Sequence, residues 1–135
     1  MTRRVLYLIP LALCLAADPA GEVLDLFTDL AGSLSAGNAV DFLSKFDKKM
    51  PGYEKLSQNV TALTRQADIE SYVDLVRNEG DDQKREVEAN WKMRLKVGND
   101  ATATPGRQQL VKCRVEKQGK NWKITVLEPV DFFAP

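Results

Sequence analysis

In the first half of the chain apolar residues recur at intervals of three and four, the spacing that places them on one side of an α-helix. Asp18-Pro19 is typical of a helix start, and Gly37-Asn38 separates a first helix from a second. A third helix is predicted to begin at Tyr53, after the turn residues Pro51-Gly52. The residues predicted to form the buried faces of these helices are Val23, Leu24, Phe27, Leu30, Ala31, Leu34, Ala39, Phe42, Leu43, Phe46, Tyr53, Leu56, Val60 and Leu63.

From Ala67 onward the apolar period changes to two, which is typical of strands with one buried face. Strands are predicted at 67–78, 86–97, 109–117 and 122–126, with a longer polar connection from Gly98 to Arg107. The apolar residues of the first strand are Ile69, Tyr72, Val73, Leu75 and Val76. Those predicted to point inward from the other three are Val87, Ala89, Trp91, Met93, Leu95, Val97, Val111, Cys113, Val115, Trp122, Ile124 and Val126.

Helices followed by strands, with no internal repeat, indicate an α+β fold. Since each element has one apolar face, we expect the N-terminal helices to pack in the concave face of a strongly bent antiparallel sheet. Trp91, Met93 and Leu95 should then lie inside. The apolar segment 127–135 should dock on this body. Residues 18–135 are long enough for one domain and too short for two.

Residues 1–17 are predicted to be a cleaved signal peptide, because Arg3 and Arg4 precede an uncharged apolar run from Val5 to Ala17. As a helix this run would be about 20 Å long, shorter than the roughly 30 Å hydrocarbon core of a bilayer. Cleavage near Ala16 or Ala17 predicts export to the periplasm or the extracellular space. Lipidation at Cys14 and an uncleaved leader that acts as a membrane anchor are the alternatives.

The composition narrows the chemistry that this chain can perform. Its 19 basic residues balance its 19 acidic residues, so nothing indicates a nucleic-acid partner. The chain has no histidine, and Cys113 is the one cysteine beyond the leader. Soft and imidazole ligands are therefore nearly absent, and neither a metal nor a cofactor is expected. A catalytic role for Cys113 is disfavoured because it has no histidine to pair with.

Two segments carry a resemblance to a known superfamily. The short second helix contains Val40-Asp41-Phe42-Leu43-Ser44-Lys45-Phe46-Asp47, and the meander ends in Lys120-Asn121-Trp122-Lys123-Ile124-Thr125-Val126-Leu127-Glu128. With the long first helix, they resemble the nuclear transport factor two-like superfamily, also called SnoaL-like or cystatin-like, from about Asp18 to Phe133. The resemblance implies a cone, a bent sheet wrapped over helices, with a cavity at its open end.

Members of that superfamily include isomerases, dehydratases, cyclases and dimerisation modules, so the resemblance leaves the function open. Its enzymes place a histidine, or an aspartate with a tyrosine, in the cavity, and this chain lacks histidine. We therefore expect an exported, non-catalytic binding or assembly module with a small apolar cavity and no catalytic residue. The residues predicted to ring the cavity mouth and bind a ligand are Tyr53, Tyr72, Trp91, Met93 and Trp122.

Two alternatives remain open at this point. A small-molecule isomerase, dehydratase or hydrolase would use Asp29 or Glu128 as a base, with Tyr53 or Tyr72 as the orienting donor. A membrane-tethered accessory protein would keep its leader. The candidate partners are a small apolar ligand and a second copy of the chain bound through the sheet, with no nucleic acid and no stable membrane span in the mature form.

Overall fold

The computed structural model describes residues 18–97 and 106–135. The leader, with Cys14, and most of the polar connection that begins at Gly98 lie outside the described residues. The elements are α1 (Pro19–Ser35), α2 (Ala39–Ser44), α3 (Tyr53–Gln66), β1 (Asp68–Gly80), β2 (Lys84–Lys96), β3 (Arg107–Gln118), β4 (Asn121–Glu128) and a 3-10 helix (Val130–Phe133). Three helices thus precede four strands, as the two periods predict.

The helices begin where the capping residues predict. The Asp18 carboxylate accepts a hydrogen bond from the backbone N–H of Gly21 at 3.1 Å, and the Asn38 side chain accepts one from Asp41 N–H at 3.0 Å. Gly52, with φ of 81°, supplies the left-handed turn before α3. In the described part of the chain, no helix is both long and apolar enough to cross a membrane.

The prediction for the end of α2 is wrong in one respect. This helix ends at Ser44, and Phe46 leaves it to form a parallel bridge with Ile124 of β4. Backbone hydrogen bonds of 2.9 Å from Ile124 N to Lys45 O and from Asp47 N to Ile124 O hold this crossing. Phe46 is buried as predicted, but a strand edge satisfies the backbone around it instead of a helical turn.

The strands form one antiparallel sheet in the order β1-β2-β3-β4, so the predicted meander is confirmed. Irregularities between Leu75 and Arg77, and between Arg114 and Val115, interrupt the register of the outer pairs. Bulges of this kind bend a strand and increase its twist, which lets the sheet wrap around the helices. The chain therefore has the predicted α+β architecture.

One apolar core joins the helices to the inner face of the sheet. Trp91 and Met93 are buried and Leu95 is half-buried, as the alternation in β2 predicts. Leu24 and Val97 were predicted to point inward, but they are 49% and 52% exposed. Leu24 lies beside the buried stripe of α1, and Val97 follows the last residue of β2, where the pleat no longer fixes the direction of the side chain.

The C-terminal segment docks on the body, as predicted. Phe132 and Phe133 are buried, and the Arg107 guanidinium donates hydrogen bonds to the carbonyl oxygens of Phe132, at 2.9 Å, and Ala134. Because these bonds start from the first residue of β3, they fix the 3-10 helix against the sheet.

Candidate functional site

A groove of about 500 Å³ lies where α1 meets the end of α2 and the start of β4. We call it the α1–β4 groove. It is lined by Glu22, Asp25, Leu26, Asp29, Ser44, Lys45, Lys120, Asn121, Trp122 and Lys123. It brings together Trp122, predicted to bind a ligand, and Asp29, one of the candidate bases. Its volume falls in the range of ordinary small-molecule sites.

Trp122 and Glu22 are fixed to each other at one end of the groove. The indole Nε1–H of Trp122 donates to Glu22 Oε1 at 2.9 Å, and Lys117 Nζ donates to the same oxygen at 3.4 Å. The hydrogen bond from Trp122 is the main reason that the pKa of Glu22 lies below its ordinary value of 4.5, with Lys117 acting in the same direction and partial burial opposing both. The Glu22 carboxylate therefore already accepts hydrogen bonds from two side chains of the fold, Trp122 and Lys117.

Trp91 lies in the interior, where the resemblance placed a cavity. Its ring is fully buried, with its centroid 5.1 Å from that of Phe133, 6.2 Å from Phe27 and 6.4 Å from Phe42. Its Nε1–H donates to Ser71 Oγ at 2.8 Å. Aromatic rings from α1, α2 and the 3-10 helix thus fill the space around Trp91, and its one polar atom has a partner.

The five residues predicted to bind a ligand do not surround one cavity. Trp91 and Met93 are buried in the core, and Trp122 borders the α1–β4 groove. Tyr53 is half-buried at the start of α3 and packs against the core. Tyr72 is 59% exposed on the outer face of the sheet, because Ile69, Ser71 and Val73 take the inward positions of β1. These five residues therefore do not line one common pocket.

Tyr72 belongs to a second surface, on the sheet face turned away from the helices. Tyr72, Val76 and Leu110 are large apolar side chains that remain 59%, 62% and 39% exposed. We call these three residues the outer-face patch. Tyr72 and Met93 also border a depression of about 390 Å³ there, together with Lys92, Arg94, Gly106, Arg107 and Gln108.

Sequence reasoning named Val76 as an apolar residue of the first strand, but it assigned neither Val76 nor Leu110 to a binding surface. A signal was present for Leu110, since it is apolar beside the inward-pointing Val111 and so breaks the alternation of β3. Val76 is the residue that the bulge leaves unpaired between Leu75 and Arg77. The adjacent apolar pair Leu75-Val76 breaks the alternation of β1 in the same way.

The remaining candidates for chemistry are placed as follows. Glu128 is exposed at the end of β4, outside the α1–β4 groove. Cys113 is buried between Val87 and Leu127 of the neighbouring strands, and burial raises the pKa of its thiol. Within residues 18–97 and 106–135, no three His, Cys, Asp or Glu side chains lie close enough together to hold a metal ion.

The fold is shared with several solved structures. A protein of unknown function from Shewanella oneidensis, described as NTF-2 like, matches with a TM-score of 0.66 at 13% identity, covering 82% of this chain and 97% of the other. A protein from Streptomyces avermitilis, provisionally named a dehydratase of the NTF2-like family, matches with a TM-score of 0.63 at 12% identity, covering 81% and 93%.

A third structure, from Xanthomonas campestris, is provisionally named a calcium/calmodulin dependent protein kinase II association domain. It matches with a TM-score of 0.64 at 16% identity, covering 83% of this chain and 86% of the other. No protein-family model matches the sequence, and no curated protein matches it significantly. The helix order, the four-stranded meander and these similarities agree: the chain has the nuclear transport factor two-like, cystatin-like fold.

Proposed function

We propose that residues 18–135 form an exported, non-catalytic assembly module that pairs with a second copy of itself through the outer face of the sheet. The observation that carries this proposal is the outer-face patch of Tyr72, Val76 and Leu110. Large exposed apolar side chains that share one face of a small domain are typical of a contact surface.

The charges around the patch suit a second copy of the same chain. Along β2 the outward residues Glu86 and Glu88 precede Asn90, and Lys92 and Arg94 follow it. A two-fold rotation about Asn90 would place Glu86 and Glu88 of one β2, which also pair with Arg114 and Arg77 of their own sheet, opposite Lys92 and Arg94 of the partner. Such isologous contacts are the commonest way in which soluble proteins form dimers.

The centre of this face is polar and carries one charge, on Asp74. Gln108 Nε2 donates to Asn90 Oδ1 at 3.0 Å, and Asn90 lies opposite Leu110 in the register of β2 and β3. Asp74 of β1 lies opposite Asn90, so a contact over this row would also take the Asp74 carboxylate of each copy out of bulk water, at a desolvation cost that the apolar patch must offset. One of the similar structures is named for an association domain, and assembly is the activity that this surface supports.

The pairing can be tested by measuring the mass of residues 18–135 in solution by sedimentation equilibrium. We expect twice the monomer mass for the wild type at micromolar concentration, and the monomer mass for Val76→Lys. Val40→Lys is the matched control, because Val40 is 82% exposed on α2, away from the sheet. A wild-type monomer, or equal behaviour of the two variants, would contradict the pairing.

Export is the second part of the proposal, and it rests on the pattern of residues 1–17. N-terminal sequencing and intact mass of the product recovered from the producing cell test it. A chain that begins near Asp18 supports export with cleavage. An intact leader would instead support the tethered alternative, and an added lipid mass on Cys14 would support lipidation.

The alternative enzymatic function has one observation in its favour. Asp29 lines the α1–β4 groove, where a base could meet a small substrate. Neither Tyr53 nor Tyr72, the predicted orienting donors, lines that groove, and Tyr72 lies on the other face of the sheet. The geometry therefore supports assembly better than acid–base catalysis.

A further inference from the structure

The α1–β4 groove has walls of opposite charge. Glu22, Asp25 and Asp29 follow one another along α1 at spacings of three and four, so they share one side of the helix. Lys45 at the end of α2 and Lys120 in the turn before β4 border the groove as well. A molecule in the groove would meet carboxylates from α1 and ammonium groups from the other two elements.

Only some of the charged side chains in this groove have a partner within the described part of the fold. Glu22 has its partners in Trp122 and Lys117, and Lys123 Nζ donates to Ser44 O. In contrast, no ion pair within the described ranges joins Asp25 or Asp29 to Lys45 or Lys120. Two carboxylates and two ammonium groups therefore line one groove without pairing with each other.

Two largely buried apolar residues also line the groove. Leu26 and Trp122 both line it, and their side chains are 8% and 6% exposed. Trp122 cannot turn away without breaking its hydrogen bond to Glu22, so this surface is held in place. Small-molecule sites commonly combine an apolar surface with a few placed charges.

We infer that the α1–β4 groove binds a small zwitterion with an apolar side chain, of the class of a free amino acid or a peptide of two or three residues. Its ammonium group lies against Asp25 and Asp29, its carboxylate against Lys45 and Lys120, and its side chain on Leu26 and Trp122. Charge-assisted hydrogen bonds at both ends favour a ligand that carries both charges over one that carries either alone. The groove and the outer-face patch share no residue, so this binding and the pairing of two copies can fail separately.

The test is a titration of ¹⁵N-labelled residues 18–135 with leucyl-leucine, followed by amide chemical shifts. We expect shifts at residues 22–29 and 119–123. Leucyl-leucine acetylated at its amino end and amidated at its carboxyl end should leave these amides unmoved. Leucine is added in a separate arm. Shifts with the dipeptide alone assign the groove to peptides, and shifts with both assign it to amino acids as well.

Two variants remove one charge from each wall. Asp29→Asn and Lys45→Gln should each weaken binding of leucyl-leucine about tenfold, the loss expected when one hydrogen bond to a charged group is removed. The matched controls are Glu54→Gln and Lys48→Gln, the same changes of charge at exposed positions that do not line the groove. They should bind as the wild type does. The inference is overturned if leucyl-leucine gives no shift at millimolar concentration, if the capped peptide shifts the same amides, or if the wall variants behave like their controls.

Discussion

At the scale of single residues, Trp91 has the largest consequence for how the molecule can work. It makes ring contacts with Phe27, Phe42 and Phe133, which belong to three different elements, and Ser71 accepts its indole N–H. A side chain with that many fixed neighbours is a packing residue. The interior around Trp91 is then part of the core, and the surfaces proposed to bind partners lie outside it.

Replacing Trp91 by alanine should lower the free energy of unfolding by about 3–5 kcal/mol, because it leaves a cavity that these rings cannot fill. Trp91→Phe keeps most of the ring but leaves the buried Ser71 hydroxyl without its donor, with an expected loss of about 1–3 kcal/mol. Urea denaturation measures both values. A loss below about 1 kcal/mol for the alanine variant would indicate that the ring borders an open cavity.

Glu22 gives a pH-dependent prediction. Its pKa is lowered mainly by the hydrogen bond from Trp122, so this carboxylate stabilises the fold above its ordinary pKa of 4.5, and the contribution is lost as the pH falls through the lower folded pKa. Trp122→Phe should therefore raise the pKa of Glu22 toward 4.5, as measured by NMR titration of its side-chain carboxyl carbon. An unchanged pKa would show that Lys117, not Trp122, is the dominant partner.

Cys113 should be chemically silent in the folded protein. Its side chain is buried in the sheet, and that burial raises the pKa of the thiol, so almost no thiolate is present at neutral pH. We expect no reaction with a disulfide reagent such as DTNB in native buffer, and one equivalent of reaction per chain of residues 18–135 after unfolding in urea. Rapid labelling of the native protein would place the thiol in contact with water.

At the scale of elements, the residue patterns predicted the helices and strands closely and predicted the surfaces poorly. Strict alternation in β2 identified its buried face, including Trp91 and Met93, because each residue of a strand alternates sides. Tyr72 was predicted to ring the mouth of the cavity and to offer its hydroxyl there, but its position in β1 points it outward. The α1–β4 groove could not be predicted, since Glu22 and Trp122 are 100 positions apart and meet only through the fold.

The 3-10 helix at the C-terminus is an element that depends on one side chain from another. Arg107→Ala removes the donor to Phe132 O and Ala134 O and leaves two carbonyl groups without that partner. We expect amide hydrogen exchange of residues 132–134 to rise at least tenfold relative to the slowest amides of β2, because the segment can then open locally. Equal protection of these amides in the wild type and in Arg107→Ala would show that burial of Phe132 and Phe133 alone holds the segment.

At the scale of the whole molecule, aromatic side chains fill the described interior around Trp91, and the exterior carries the surfaces that are proposed to recognise a partner. The aromatic interior joins α1, α2, the sheet and the 3-10 helix into one core. The outer-face patch and the α1–β4 groove lie on the surface and share no residue. In the functions proposed above, this core supports two external surfaces.

The filled interior is the claim on which the proposed functions depend, and hydrogen exchange of the Trp91 indole N–H tests it most directly. We predict by NMR that this proton exchanges as slowly as the most protected backbone amides of residues 18–135, because water reaches Trp91 and Ser71 only on global unfolding. Exchange within minutes, while those amides stay protected, would place water beside Trp91 and contradict the filled interior.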